Sequence, residues 1–494
     1  MRLGALLLLA AASAFAAVRL PAIINDGMVL QRDKPVRIWG WAEPAEAVTV
    51  QFRGQTVSTH ADDLGRWAAF LAASPAGGPF DLLVRGANQI KVANVLVGEV
   101  WIASGQSNMV WQVQQSRDAT QEMAAANFPQ IRFFQVENVV SQVPLLDVRG
   151  MWQSTTPDTV GRFSGVGYFF ARHLYKKLNV PVGIVQTAWG GTPAEAWVSG
   201  PALASDAALI SVFADWARIT ETYPAANLKY QMDLNRWERT YQGRKPTPPP
   251  GPNYQHMPSG LYNAMIAPLT PYAIRGAIWY QGENNAGKSR AWVYRRLFPT
   301  LIEDWRRAWG QGDFPFLFVQ LANFTAADAQ YPELRESQSM ALSLRNTGMA
   351  VTIDIGESKN IHPKNKQDVG DRLALAARSV AYGESNLVAS GPLFQEAVPE
   401  GSSVRVLFSS AGGGLEARGG TLKGFTIAGV DLKFVPAEAR IDGQTVVVSS
   451  PSVPNPAYVR YAWADDPEVS LFNKEGLPAS PFRSDDWGQP RRFR

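Results

Sequence analysis

The sequence predicts an α/β protein: a parallel-sheet core with one β-sandwich-like module before it and another after it. Three observations carry this expectation. Between about residues 96 and 385, short apolar runs alternate with amphipathic stretches of helical period. On either side, strand-length segments are separated by Gly-, Pro- and Asp-rich turns. Within the middle region, several apolar runs end in loops of small or polar residues, the place where an open α/β sheet carries its chemistry.

Taken in order, the chain starts with a charged Met1-Arg2 and an apolar run from Gly4 to Ala12, too short to span a bilayer. Ser13-Ala14-Phe15-Ala16 then offers the small residues of a cleavage site, so residues 1–16 read as a signal peptide. A periplasmic or secreted protein is expected. Residues 17–95 hold short strands such as Val36–Trp41, Val48–Phe52 and Trp67–Leu71. They are separated by turns such as Glu43-Pro44-Ala45 and Ala76-Gly77-Gly78-Pro79, the pattern of a sandwich.

The core, 96–385, should contain five buried strands: Val97–Ala103, Val182–Thr187, Ile274–Tyr280, Phe316–Leu321 and Met349–Asp354. Helices are expected from Asn108 through Val113, over Gly167–Leu178, around Tyr294–Trp309, and from Pro363 to Ala381 with the proline in the first turn. An insertion at about 200–260 carries a helical part with Trp216 and Trp237. It ends in the extended segment Lys245–Pro252, which includes Pro248-Pro249-Pro250. Residues 386–494 return to strand pattern, as in Val404–Phe408, Gly424–Ala428 and Gln444–Val448.

Composition narrows the function. Apolar residues make up 46% and charged residues 18% of the 494, which is globular composition. The net charge of +4 comes from 47 basic and 43 acidic residues without a Lys/Arg patch, so neither nucleic acid nor a membrane is expected as a partner. There is no cysteine, which excludes disulfides, a thiol nucleophile and Cys-ligated zinc. With four histidines in the chain, no metal and no cofactor is expected. The sequence leaves the oligomeric state open.

Four strand-end loops hold groups that suit acyl transfer: Ser107, Gly190-Gly191, Gln281–Asn285 and His362. A serine hydroxyl needs an adjacent base, usually histidine, which a third group orients. Ser107 is the candidate nucleophile and His362 the candidate base. The backbone N–H groups of Ser107 and of Gly190 or Gly191 suit a developing oxyanion, because glycine lets the backbone approach without a Cβ. The amide of Gln281 or Asn285 is a further candidate donor. His60 and His173 read as surface or packed residues, and His256 as a minor rival base.

Ser104-Gly105-Gln106-Ser107-Asn108-Met109, Trp189–Trp197, Trp279–Ala286 and Ile361-His362-Pro363 together resemble the sialate O-acetylesterase family, within the wider SGNH (GDSL-like) hydrolases. The resemblance implies a flavodoxin-like core that removes acetyl groups from sugar hydroxyls, so an acetylated carbohydrate is the expected substrate. Sialic acid and plant polysaccharides such as xylan and xyloglucan stand as alternative sources. The resemblance places the nucleophile at Ser107 and the base at His362. Many SGNH enzymes carry the triad acid three residues before the histidine, where this chain has Lys359. Asp354 and Glu357 are then level as candidate acids, with a Ser–His dyad whose imidazole a backbone carbonyl orients as a third arrangement. Glu283 stands either as a sugar-binding group or as a prop for the Gln281 loop. A carbohydrate-binding protein without activity is the competing class.

Overall fold

The structure, a computed structural model, describes residues 17–287, 290–325 and 329–485. The expected signal peptide, 1–16, lies outside the described residues. Among those described, no helix is long and apolar enough to cross a membrane.

The first unit contains strands β1 (Val29–Gln31), β2 (Val36–Trp41), β3 (Ala47–Phe52), β4 (Gln55–His60), β5 (Arg66–Leu71) and β6 (Gly77–Arg85). Strand β7 (Gln89–Gly105) follows and is 17 residues long. Its first half pairs with β6 and, through Leu96–Gly98, with β1. Its second half, Glu99–Gly105, pairs with β10 (Val182–Ala188). The boundary expected at 95/96 therefore falls inside one strand. A single apolar core runs from Val18 through Ala377 across both units, while residues 404–482 build a separate one.

The central sheet is completed by β8 (Phe128–Gln135), β9 (Trp152–Thr155), β11 (Gly276–Tyr280), β12 (Phe316–Gln320) and β13 (Thr347–Val351). Its order is β13-β12-β11-β7-β10-β8-β9, parallel throughout except for β9. Strands β10, β11 and β12 are buried at every position, as expected of a sheet covered on both faces. The helix Gly165–Leu178 packs on Lys366–Val380, and Arg290–Trp309 on Tyr331–Met340. At Gly370 the backbones meet closely: a Cβ there would lie 2.6 Å from the Phe169 Cβ.

Three local expectations are corrected. The helix expected through Val113 is a single turn, Ser107–Val110, because Trp111 turns out of it with ψ 120°. Pro363 precedes its helix, whose cap is Asn365, the side chain accepting from the Asp368 N–H. Strand β8 was not anticipated. Its apolar run is broken by Arg132, which is buried because its guanidinium donates to the carbonyls of Gly27 and Asn94.

The insertion forms a 30-residue helix, Ser211–Thr240, with Trp216 and Trp237 on it and no buried residue. The C-terminal strands, among them Ser403–Ser409, Phe425–Ala428 and Thr445–Ser449, form antiparallel sheets over their own core. Arg335, fully buried, joins this unit to the α/β core by donating to the carbonyls of Leu321, Ala322, Ala464 and Asp465.

Candidate active site

Strand β7 lies between β10 and β11, so the loops after these three strands meet at one rim, and the loop after β13 reaches the same place. Gly105 ends β7 at φ +137°, where a Cβ would sit 2.1 Å from the Tyr280 carbonyl oxygen. Only glycine fits this crossing, and it turns the chain into the Ser107 helix turn.

Ser107 and His362 are both half-buried. His362 Nε2 lies 2.8 Å from Ser107 Oγ. Trp111 stacks on the imidazole, with ring centroids 5.1 Å apart and planes 18° from parallel. As the first residue of its turn, Ser107 has an N–H without an acceptor inside the helix. Gly190 comes beside it, a Cβ there lying 3.5 Å from the Ser107 Cβ, and Gly191 takes φ +73°. Asn284, which sequence reasoning passed over, donates through Nδ2 to the Gly191 carbonyl at 2.8 Å. Its own N–H donates to Gln106 Oε1 at 3.3 Å.

The other candidate donors are committed elsewhere. Gln281 is fully buried, and its Nε2 donates to the Thr192 carbonyl and to Asn285 Oδ1. Asn285 Nδ2 donates to Glu195 Oε2, while its Oδ1 accepts from the Ala194 N–H. These bonds brace the glycine loop from behind. Glu195 is further held by Arg290.

Neither candidate acid reaches the imidazole. Asp354 makes a two-pronged ion pair with Arg372, at 2.6 and 2.8 Å. Glu357 accepts from the Lys364 N–H at 2.8 Å and from Asn360 Nδ2 at 3.0 Å. Among the described residues, the His362 ring is hydrogen-bonded to Ser107 and to neither carboxylate. Asn360 shapes the loop instead: its Oδ1 accepts the His362 N–H and its Nδ2 donates to the His362 carbonyl.

Glu283 accepts from Asn108 Nδ2 at 2.5 Å, and its second oxygen is buried without a partner. Burial lifts this carboxyl above the usual range despite the Asn108 bond. Asn108 also donates to the Ile361 carbonyl at 2.9 Å and accepts from Lys366 Nζ at 2.5 Å. Lys366 is fully buried, and burial pushes its ammonium down to about 7. Burial and then the Lys366 charge hold His362 below its ordinary value. His256 sits nearer the rim than its sequence position suggested, and burial lowers its pKa despite the pull of the Gly191 backbone and of Glu195 the other way. His173 bonds Asp371 on the neighbouring helix, and His60 is exposed at the end of β4.

This fold and the comparisons with known proteins define a carboxylic ester hydrolase. More closely, the chain belongs to the sialic acid-specific acetylesterase family of carbohydrate esterases, whose family model matches residues 97–220 and 232–379. It is 33% identical to the sialate O-acetylesterase of Homo sapiens over 432 residues, 78% of this chain and 76% of that protein. It is 34% identical to that of Mus musculus over 416 residues, 76% of this chain and 75% of that one. Among solved structures, a carbohydrate acetylesterase from Xanthomonas citri superposes with a TM-score of 0.84 at 42% identity. That similarity covers 95% of this chain and all of the other.

Proposed function

We propose that the protein is an exported serine esterase that removes O-acetyl groups from carbohydrates through an acyl-enzyme intermediate, on an SGNH-type core. The domain reading that goes with it is a signal peptide at 1–16, β modules at 17–95 and 386–494, and a catalytic unit at 96–385. One observation carries the chemistry: the 2.8 Å contact between Ser107 Oγ and His362 Nε2 at the mouth of the parallel sheet. An uncharged imidazole accepts the hydroxyl proton as Oγ attacks the acetyl carbonyl carbon. The N–H groups of Ser107 and of Gly190 or Gly191 receive the oxyanion, each such donor being worth roughly 3 kcal/mol of transition-state stabilisation. The imidazolium returns its proton to the departing sugar oxygen, which leaves acetyl-Ser107. Water, activated by the same imidazole, then releases acetate.

Family membership supports an acetylated carbohydrate as substrate. The mammalian relatives are sialate O-acetylesterases, and the Xanthomonas citri neighbour is a carbohydrate acetylesterase. Sialate is the first substrate reading, and acetylated xylan or xyloglucan the second. Acetate release from O-acetyl sialic acid, acetylated xylan and acetylated xyloglucan, run side by side, decides among them. Ser107→Ala should abolish release from whichever is cleaved and leave the fold intact. Unchanged release in that variant contradicts Ser107 as the nucleophile, whereas a wild-type protein that releases acetate from none of the three and from no aryl acetate returns the binding-protein alternative.

A further inference from the structure

In a triad, the carboxylate behind the histidine fixes the ring's orientation. Here no carboxylate among the described residues bonds the imidazole, so the alignment of Ser107 with His362 must come from elsewhere. The structure offers a hydrogen-bonded connection beside the Trp111 stack. Asn108 is the residue after Ser107, and its Nδ2 donates to the carbonyl of Ile361, the residue before His362. The asparagine therefore ties the nucleophile's turn to the base's loop across 253 residues of sequence.

The Asn108 side chain is 2% exposed and gripped at both ends. Lys366 Nζ donates to its Oδ1 at 2.5 Å, and its Nδ2 donates to Glu283 Oε1 at 2.5 Å. An amide held between a lysine donor and a carboxyl acceptor cannot flip without breaking both hydrogen bonds. The ammonium also faces the Trp111 ring, 5.9 Å from its centroid, and the Tyr280 ring at 5.3 Å. Trp111 is the ring stacked on His362. The same lysine thus supports both contacts that fix the imidazole loop.

We propose that Asn108, clamped between Lys366 and Glu283, is the positioning residue of the Ser107–His362 pair and does the aligning that a triad carboxylate does elsewhere. The arrangement differs from a triad in its electrostatics. A carboxylate stabilises the imidazolium formed on proton transfer, whereas the Lys366 ammonium opposes it. Its contributions are alignment and a base held below its ordinary pKa. The charged groups acting on Lys366 are Glu283 from the loop after β11 and Glu357 from the His362 loop, and both favour the ammonium. Lys366 is the charge that acts on His362.

This inference rests on Ser107 and His362 as nucleophile and base. Two variants of the full chain test it, with an aryl acetate as substrate and a thermal melt as control. Asn108→Asp keeps the size and the Lys366 contact, and one proton shared between the two carboxyls can still bridge residue 108 and Glu283. It removes the donor to Ile361. The expected result is a kcat about 100-fold lower, the scale on which small misplacements of reacting groups act, with KM within about twofold. Lys366→Met removes the charge, so the acidic limb of kcat/KM should move to higher pH as well as kcat falling. An Asn108→Asp enzyme with wild-type kcat overturns the inference, as does a folded Lys366→Met enzyme whose acidic limb stays in place. If Lys366→Met does not fold, the Asn108→Asp kcat decides. A wild-type enzyme that never carries acetyl at Ser107 would instead refute the nucleophile reading, a different outcome from either of these.

Discussion

The indole of Trp111 lies flat against the imidazole of His362, 5.1 Å between centroids and 18° from parallel. No carboxylate among the described residues bonds that imidazole, so a hydrocarbon face and an asparagine tether stand where the acid of a triad would be. The stack also explains why the helix after Ser107 stops after one turn: a continued helix would carry residue 111 away from the ring.

Removing the stack should slow the enzyme without disabling it. Aromatic pairs contribute about 0.5–1.5 kcal/mol beyond their buried area. Trp111→Ala should therefore lower kcat by up to about tenfold, with Trp111→Phe close to wild type. Steady-state kinetics on an aryl acetate read this directly, and equal rates for the two variants would remove Trp111 from the account.

The pH profile follows from the direction of the His362 shift. The base works as neutral imidazole, and burial together with the Lys366 ammonium disfavours its charged form. Protonation should therefore occur below the ordinary value of 6.5, and kcat/KM should hold its plateau through mildly acidic pH before falling. An acidic limb centred above 6.5 would mean that a carboxylate acts on the ring after all.

Gly105 is a strict requirement of the turn. Its φ of +137° and the Tyr280 carbonyl 2.1 Å from any Cβ leave no room for a side chain. Gly105→Ala should displace β7 from β11, with loss of both activity and stability, measured by turnover and by thermal melting. A variant with native melting temperature and turnover would contradict this packing.

Arg335 tests how the C-terminal unit is attached. Its buried guanidinium serves four carbonyl oxygens, two from each side of the junction. Arg335→Met takes a donor from each, and of the four the Asp465 carbonyl keeps the Phe324 N–H, so the cost is about 3 kcal/mol or more. The melting temperature should fall. Activity should fall as well, because the same junction carries the hydrogen bond from Asn323 to Asp466, and Asn323 accepts the Gly356 N–H of the His362 loop.

The strand ends were legible from sequence because a buried strand followed by a small-residue loop is a local pattern. Ser107, Gly190, Gly191 and His362 stood out in this way. What the sequence hid was long-range. Lys366 is 258 residues from the amide it holds, and lysine is among the residues least often buried, so nothing local marks it. Asn108 looked like an ordinary first-turn residue for the same reason. Nor did the sequence show the internal bonds of Gln281 and Asn285, polar residues at a strand end whose amides reach Thr192, Glu195 and each other. Asp354, equally conspicuous beside the strand, is held by Arg372 one helix away. Strand β8 was missed because Arg132 interrupts it, and its burial depends on carbonyls from the first β unit.

The most direct measurement is rapid quenching of the enzyme with an aryl acetate, followed by peptide mass spectrometry. The account predicts one acetyl group on the peptide containing Ser107, formed in a burst, and none in His362→Ala within the same time. Acetyl on any other residue, or steady turnover with Ser107 never modified, would contradict it.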